Sequence, residues 1–221
     1  MAVVAIAREI GAGAAEVAAA VAHGLGAELV DRRIIDEVAR RLRIAPEEAE
    51  RFDEHRESLL ERLLFAIGSG STYGVGDAWS WTPPYPGDPA FDVHRASRRV
   101  TEDVIREAVR GGSVVIVGRG AAHLLRDDPS VLRVFLRASV ETRRTRLMNS
   151  QRIDAKTAAD RVRESDVNWG AYVRDAYHVD WRDPASYDLV IDTGRLGARR
   201  AARLILAALP PGGPGEDPAA A

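Results

Sequence analysis

At 221 residues, 46% of them hydrophobic and 29% charged, the chain is long enough to bury a full core and reads as one globular domain. A formal net charge of −2 gives no general attraction to nucleic acid or to an anionic membrane, so any polyanion site has to be a local cluster of arginines. The lack of cysteine excludes disulfides, thiolate metal sites and cysteine nucleophiles, and it suits a reducing cytoplasm.

The N-terminal "VVAIAREIGAGAAEVAAAVAHGLG" is an apolar run, then a glycine pair at Gly11 and Gly13, then a helix with Val17, Val21 and Leu25 on one stripe. A secretion signal would need a basic lead-in and a longer apolar run than the one Arg8 and Glu9 interrupt. No stretch reaches the ~20 apolar residues of a membrane span. "AELV" at 27–30 predicts a second strand, followed by a helix through Ile34, Ile35, Val38 and Leu42. "APEEAERFDEHRESLLERLLFAI" has Pro46 and two glutamates in its first turn, as a long amphipathic helix prefers. "GSGSTYGVGDAWSWTPPYPGDP" has no period and predicts a mobile loop over about 68–90, where Trp79, Trp81 and Tyr85 would stack on a base or pack onto the domain.

A helix over about 91–110 leads to "GGSVVIVGRGAAHLL", again strand, glycine turn, helix. "VLRVFLRA" is a fourth strand, and "SVETRRTRL" opens a helix with Ser139 as N-cap. The polar segment 151–182 reads as helical, "YDLVIDTG" as a fifth strand, "RLGARRAARLILAAL" as a last helix, and 210–221 as a disordered tail. The expected strands are 2–7, 27–30, 113–117, 131–136 and 187–192, all parallel, because apolar runs alternate with amphipathic helices. The five histidines lack metal-ligand spacing and read as surface or satisfied core residues; no residue is assigned as a metal ligand. Glu9 and Asp36 lie near the site in sequence without an assigned role.

In a parallel sheet, ligands gather at the carboxyl ends of the strands, where helix N-termini present unpaired amides. The segments 8–13, 31–32 and 118–120 fall there. "AREIGAGAAEVAAAVAHGLGAELVDRRII", "VVIVGRGAAHLL", "LRVFLRASVETRRTRL" and "YDLVIDTG", in this order, resemble the cytidylate kinase-like family of P-loop nucleoside-phosphate kinases, over nearly the whole chain to about residue 208.

The resemblance implies a three-layer α/β P-loop fold with a five-stranded parallel sheet and a helical lid, in a kinase-like domain over residues 1–209 with the lid within about 151–182. It implies transfer of the γ-phosphoryl group of ATP, with Mg²⁺ as the usual companion ion, to a nucleoside monophosphate such as CMP. By the same resemblance Arg8, Gly11, Ala12, Gly13, Ala14 and Ala15 hold the donor phosphates, while Asp31, Arg32, Gly118, Arg119 and Gly120 face the acceptor nucleotide. Arg8, Arg119, Arg152 and Asp166 carry the catalysis, with Arg143, Arg146, Arg161 and Arg163 nearby. The chain departs from a full phosphate loop, G-x-x-x-x-G-K-[ST], in having Arg8, Ala14 and Ala15 for its first glycine, lysine and hydroxyl residue. Val117, Gly120 and Trp169 stand where related kinases carry an acidic residue, an aspartate and an arginine. The alternative reading is therefore a catalytically weak or inactive nucleotide-binding or sensing module on the same fold. Oligomeric state is not legible.

Overall fold

The computed structural model describes residues 1–30, 32–42 and 89–209. The expected helix at 45–67, residues 68–88 of the expected loop at about 68–90 with its aromatic residues, Asp31 and the tail 210–221 lie outside the described residues, and residues 89–90 of that loop are helical.

β1 (Val3–Arg8) is buried along almost its whole length and leads through a turn to α1 (Ala14–Leu25). β2 (Glu28–Val30) and α2 (Arg32–Leu42) follow. The next described element is α3 (Pro89–Gly111), then β3 (Val114–Val117), the short α4 (Ala121–Leu124) and β4 (Val131–Arg137). α5 (Val140–Gln151), α6 (Ala155–Tyr177), a single 3₁₀ turn (Pro184–Ser186), β5 (Leu189–Asp192) and α7 (Thr193–Ala207) complete the order.

The five strands form one parallel sheet in the order β2-β3-β1-β4-β5. Each expected strand is present, with ends shifted by one or two positions. β1 is central, paired to β3 from Val3↔Val114 and to β4 from Val3↔Val131. Its alternating side chains feed two apolar layers: Val4 and Ile6 pack with α1 and α7, while Val3, Ala5 and Ala7 pack with α2, α3 and the end of α6. That two-sided burial is why the strands read as unbroken apolar runs. Ser139 caps α5 by accepting from the Thr142 amide at 3.2 Å, and Asp154 and Asp192 cap α6 and α7 in the same way. None of the described helices is long and apolar enough to cross a membrane.

Segment 151–182 is helical from Ala155 to Tyr177 as one continuous rod. Its first half packs on α5 through Ala158, Val162 and Leu147, and its second half enters the main core at Val173.

Candidate functional site

The turn after β1 is held from behind by side chains. The Arg143 Nε donates to the Ile10 carbonyl at 2.8 Å, Arg146 Nη1 to the Gly11 carbonyl at 3.3 Å, and Thr193 Oγ1 lies 2.6 Å from the Ala12 carbonyl. The Ala12 amide donates to the Glu9 carbonyl at 3.1 Å, so the turn is also closed on itself. The first intrahelical bond of α1 runs from the Val17 amide to the Gly13 carbonyl, so the amides of Ala14, Ala15 and Glu16 precede it. Gly13, the N-cap, has a left-handed backbone and makes no side-chain cap. Alternation of left-handed residues with helical ones, and a bare helix N-terminus, create an anion seat. Gly11 is required there: its φ is +75°, and a Cβ would lie 2.8 Å from the Arg143 carbonyl oxygen.

A cleft of about 1080 Å³ opens over this turn, lined by Arg8, the residues from Glu9 to Glu16, Val117, Gly118, Asp166 and Trp169, among others. The expected donor-side residues are thus gathered on one wall. Beside them lies a buried charge cluster. Arg143, 1% exposed, binds Asp166 with both terminal nitrogens, at 3.0 and 2.6 Å, and lies 3.4 Å from Glu9. The Glu9 carboxylate accepts from the Ala138 amide at 3.0 Å, joining the ends of β1 and β4. Arg182 reaches Asp166 at 2.7 Å and Glu9 at 3.5 Å. Asp166 therefore holds two arginines.

The second glycine turn, 118–120, is built differently. Gly118, Arg119 and Gly120 all have positive φ, near +75°, +58° and +71°. For arginine that conformation costs on the order of 1 kcal/mol and persists only where the surroundings impose it. The Gly118 amide donates to the Ile6 carbonyl at 2.8 Å, setting this turn beside the first. Arg119 is only 5% exposed. A Cβ on Gly120 would lie 2.5 Å from the Tyr177 hydroxyl oxygen, so Tyr177 occupies the space an aspartate would need.

Arg152 ends α5 in a left-handed conformation, exposed and outside the cleft lining. Arg161 lines the cleft from α6, and Arg163 is exposed. Arg32 lies on the first turn of α2, beside the undescribed Asp31. Trp169 stacks on Tyr172, ring centroids 5.2 Å apart. Asp36 is exposed on α2.

Sequence reading missed Thr193 and Arg182. Thr193 sits at the first position of α7, where an ordinary N-terminal threonine gives no hint of the loop it reaches. Arg182 lies in an aperiodic stretch between α6 and the 3₁₀ turn. Arg143 was among the nearby arginines, but its burial was not read; the signal is its place four residues before the buried Leu147, on the inward stripe of α5.

His123, on α4, is 3% exposed. The Tyr187 hydroxyl gives its proton to the Trp181 carbonyl at 2.6 Å, so at 3.2 Å it accepts from the His123 Nε2–H. Burial, aided by the charges of Arg126 and Arg133, lowers the His123 pKa to about 4. It is a neutral core histidine.

Among the described residues there is no group of three or more His, Asp or Glu side chains placed to hold a metal ion. Ala15 offers no hydroxyl, and Glu9 and Asp166 are already paired with arginine. These residues do not fit a protein-held Mg²⁺.

A parallel sheet with a bare, glycine-built helix N-terminus at its central strand defines a P-loop kinase fold. The model of the cytidylate kinase-like family matches residues 3–195, and the chain belongs to that family. It is 32% identical over 121 residues to a cytidylate kinase of Methanopyrus kandleri, covering 51% of this chain and 63% of that one. It is 33% identical over 104 residues to a cytidylate kinase of Pyrobaculum aerophilum, covering 45% and 54%. The matches thus span less than two thirds of these curated relatives. Among solved structures, a protein from Eubacterium ventriosum aligns with a TM-score of 0.65 at 22% identity over 95% of this chain and 98% of that one. A shikimate kinase from Bacteroides thetaiotaomicron aligns at 0.50 and 11% identity over 93% and 97%. At such identities these two establish the fold alone.

Proposed function

We propose that the protein is a nucleoside-monophosphate kinase-like enzyme that moves the γ-phosphoryl group of ATP to a nucleoside monophosphate, CMP being the first acceptor to test. The observation that carries this reading is the turn Ile10–Gly13, whose carbonyls are engaged from behind while the first amides of α1 border the cleft. Helix N-termini attract phosphate whatever side chains they bear. In the reaction an oxygen of the acceptor phosphate attacks the γ-phosphorus, and the bond to the bridging oxygen breaks to release ADP. Arg8, at the end of β1, serves the donor phosphates in place of the missing lysine. Arg119 grips the acceptor phosphate with its planar fork, alongside Gly118 and Gly120, with Asp31 and Arg32 on the same side. Asp166 acts by holding Arg143 in position. A role for Arg152 requires the end of α5 to move toward the cleft. Mg²⁺ would enter with ATP, and a cysteine-free kinase suits the cytoplasm.

The second reading, a nucleotide-binding module with little or no turnover, is favoured by a specific observation. Ala14 and Ala15 remove a charge and a hydroxyl that act on the transferring group, and Tyr177 closes the space beside Gly120. Binding should survive these losses better than turnover. A coupled assay over a panel of monophosphates, with calorimetry on ATP, separates the readings. We expect ATP binding with turnover well below the ~1–100 s⁻¹ usual for kinases. Turnover within that range on CMP would refute slow catalysis, and no binding at millimolar ATP would refute both readings. Arg119→Ala should weaken monophosphate binding by ~1.5–3 kcal/mol and spare ATP, and Arg8→Ala should do the reverse. Equal losses for both ligands would refute the division into two subsites.

A further inference from the structure

Two arginines behind the turn 10–13 are committed to the protein itself. Arg143 is divided among the Ile10 carbonyl, Asp166 and Glu9, and Arg146 among the Gly11 carbonyl, the Thr193 hydroxyl and the Thr193 carbonyl. Neither can turn to a ligand without releasing the turn it holds. Arg182, which stands just outside the cleft lining against Glu9, Asp166 and Trp181 that do line it, differs in three ways. Its side chain is 48% exposed. Its side-chain hydrogen bonds to the described residues all run through Nη2, leaving Nε and Nη1 uncommitted. And both carboxylates it touches already have Arg143, so its departure strands neither of them without a cation.

The guanidinium is also pre-placed. Its central carbon lies 4.6 Å from the ring centroid of Trp181, a buried platform, and the Arg182 amide is fixed by Asp180 at 3.0 Å. With its guanidinium half-exposed, Arg182 is held less firmly than the buried Arg143, and a polyphosphate with several charges in a confined cleft competes for it.

We propose that Arg182 is the exchangeable cation of the cleft, resting on Asp166 and Glu9 when the cleft is open and pivoting over Trp181 onto the polyphosphate of a nucleoside triphosphate seated on the turn 10–13. This rests on the nucleotide-kinase reading above. The exchange has a built-in return: with Arg182 away, one arginine faces two carboxylates, and their unbalanced charge draws it back as the polyphosphate leaves.

The test is calorimetric titration of the full chain with a non-hydrolysable ATP analogue and with AMP, for wild type, Arg182→Ala, Arg182→Gln and Arg182→Lys. The Ala and Gln variants should lose about tenfold or more in affinity for the analogue, the scale of one charged hydrogen bond. AMP affinity should stay within about twofold, the ligand-free melting temperature should be nearly unchanged, and Lys should recover part of the loss. Wild-type affinity for the analogue in both neutral variants overturns the assignment while leaving the kinase reading intact. So does an equal loss for analogue and AMP together with a lowered melting temperature, which marks a structural role. A wild type that binds no analogue overturns the assignment and the kinase reading together.

Discussion

The two glycine turns, 10–13 and 118–120, have the same local grammar, yet the structure uses them in opposite ways. Each follows a buried parallel strand, each has left-handed glycines flanking one residue, and each opens a helix. The first is braced from outside by Arg143, Arg146 and Thr193, and leads into a 12-residue helix whose initial amides border open space. The second leads into a helix of only four residues, packs against Tyr177, and carries a buried arginine. A strand-glycine-helix pattern thus specifies a backbone shape. What packs behind it decides whether the shape presents main chain or a side chain.

The comparison breaks most sharply at Arg143. Arg143→Ala removes the brace of the first turn and leaves Glu9 and Asp166 with only the half-exposed Arg182, so a loss of about 3–5 kcal/mol is expected in denaturant unfolding. An unchanged midpoint would show that the brace is dispensable. A smaller effect separates the turns by what obstructs them. Gly120→Ala and Gly11→Ala should each cost about 3 kcal/mol from overpacking and left-handed strain. In a Tyr177→Ala background the first should fall to about 1 kcal/mol, the strain alone. Gly11→Ala should keep its full cost in an Arg143→Ala background, because the obstacle there is a backbone oxygen.

Acid should loosen the second turn. His123 titrates near 4 when folded and near its ordinary 6.5 when unfolded. The unfolded state therefore binds the extra proton across that window, and the stabilisation present above pH 6.5 is lost as pH falls toward 4, by about 2–3 kcal/mol. Hydrogen exchange should quicken at 118–124 before 10–16, and His123→Gln should flatten the profile. Least of all, Thr193→Val should cost about 1 kcal/mol through the lost contact to the Ala12 carbonyl, while measurably weakening triphosphate binding at the first turn only.

The sheet was legible because burial on both faces writes itself as runs such as "AVVAI" and "VVIV", which periodicity resolves directly. The glycine turns were legible as backbone. Their supports were not, because Arg143 and Arg144 are adjacent and chemically alike, and only the helical phase set by Ser139 buries the first and leaves the second half-buried. Arg182 was hidden for the opposite reason: its segment has no period, and its partners Glu9 and Asp166 are distant in sequence. Pairings of this kind are made by topology, and no local pattern encodes them.

The central place of β1 imposes a schedule on synthesis. Val3 leaves the ribosome well before its partners, because the strands on either side of it begin at Val114 and Val131. At the usual rate of elongation, on the order of 5–20 residues per second, the central strand of the sheet waits roughly ten seconds for a neighbour. During that interval the nascent chain can form α1 but not the sheet that buries it, and closing so long a loop delays the nucleus further. A protein built this way depends on whatever shields β1 before β3 and β4 arrive.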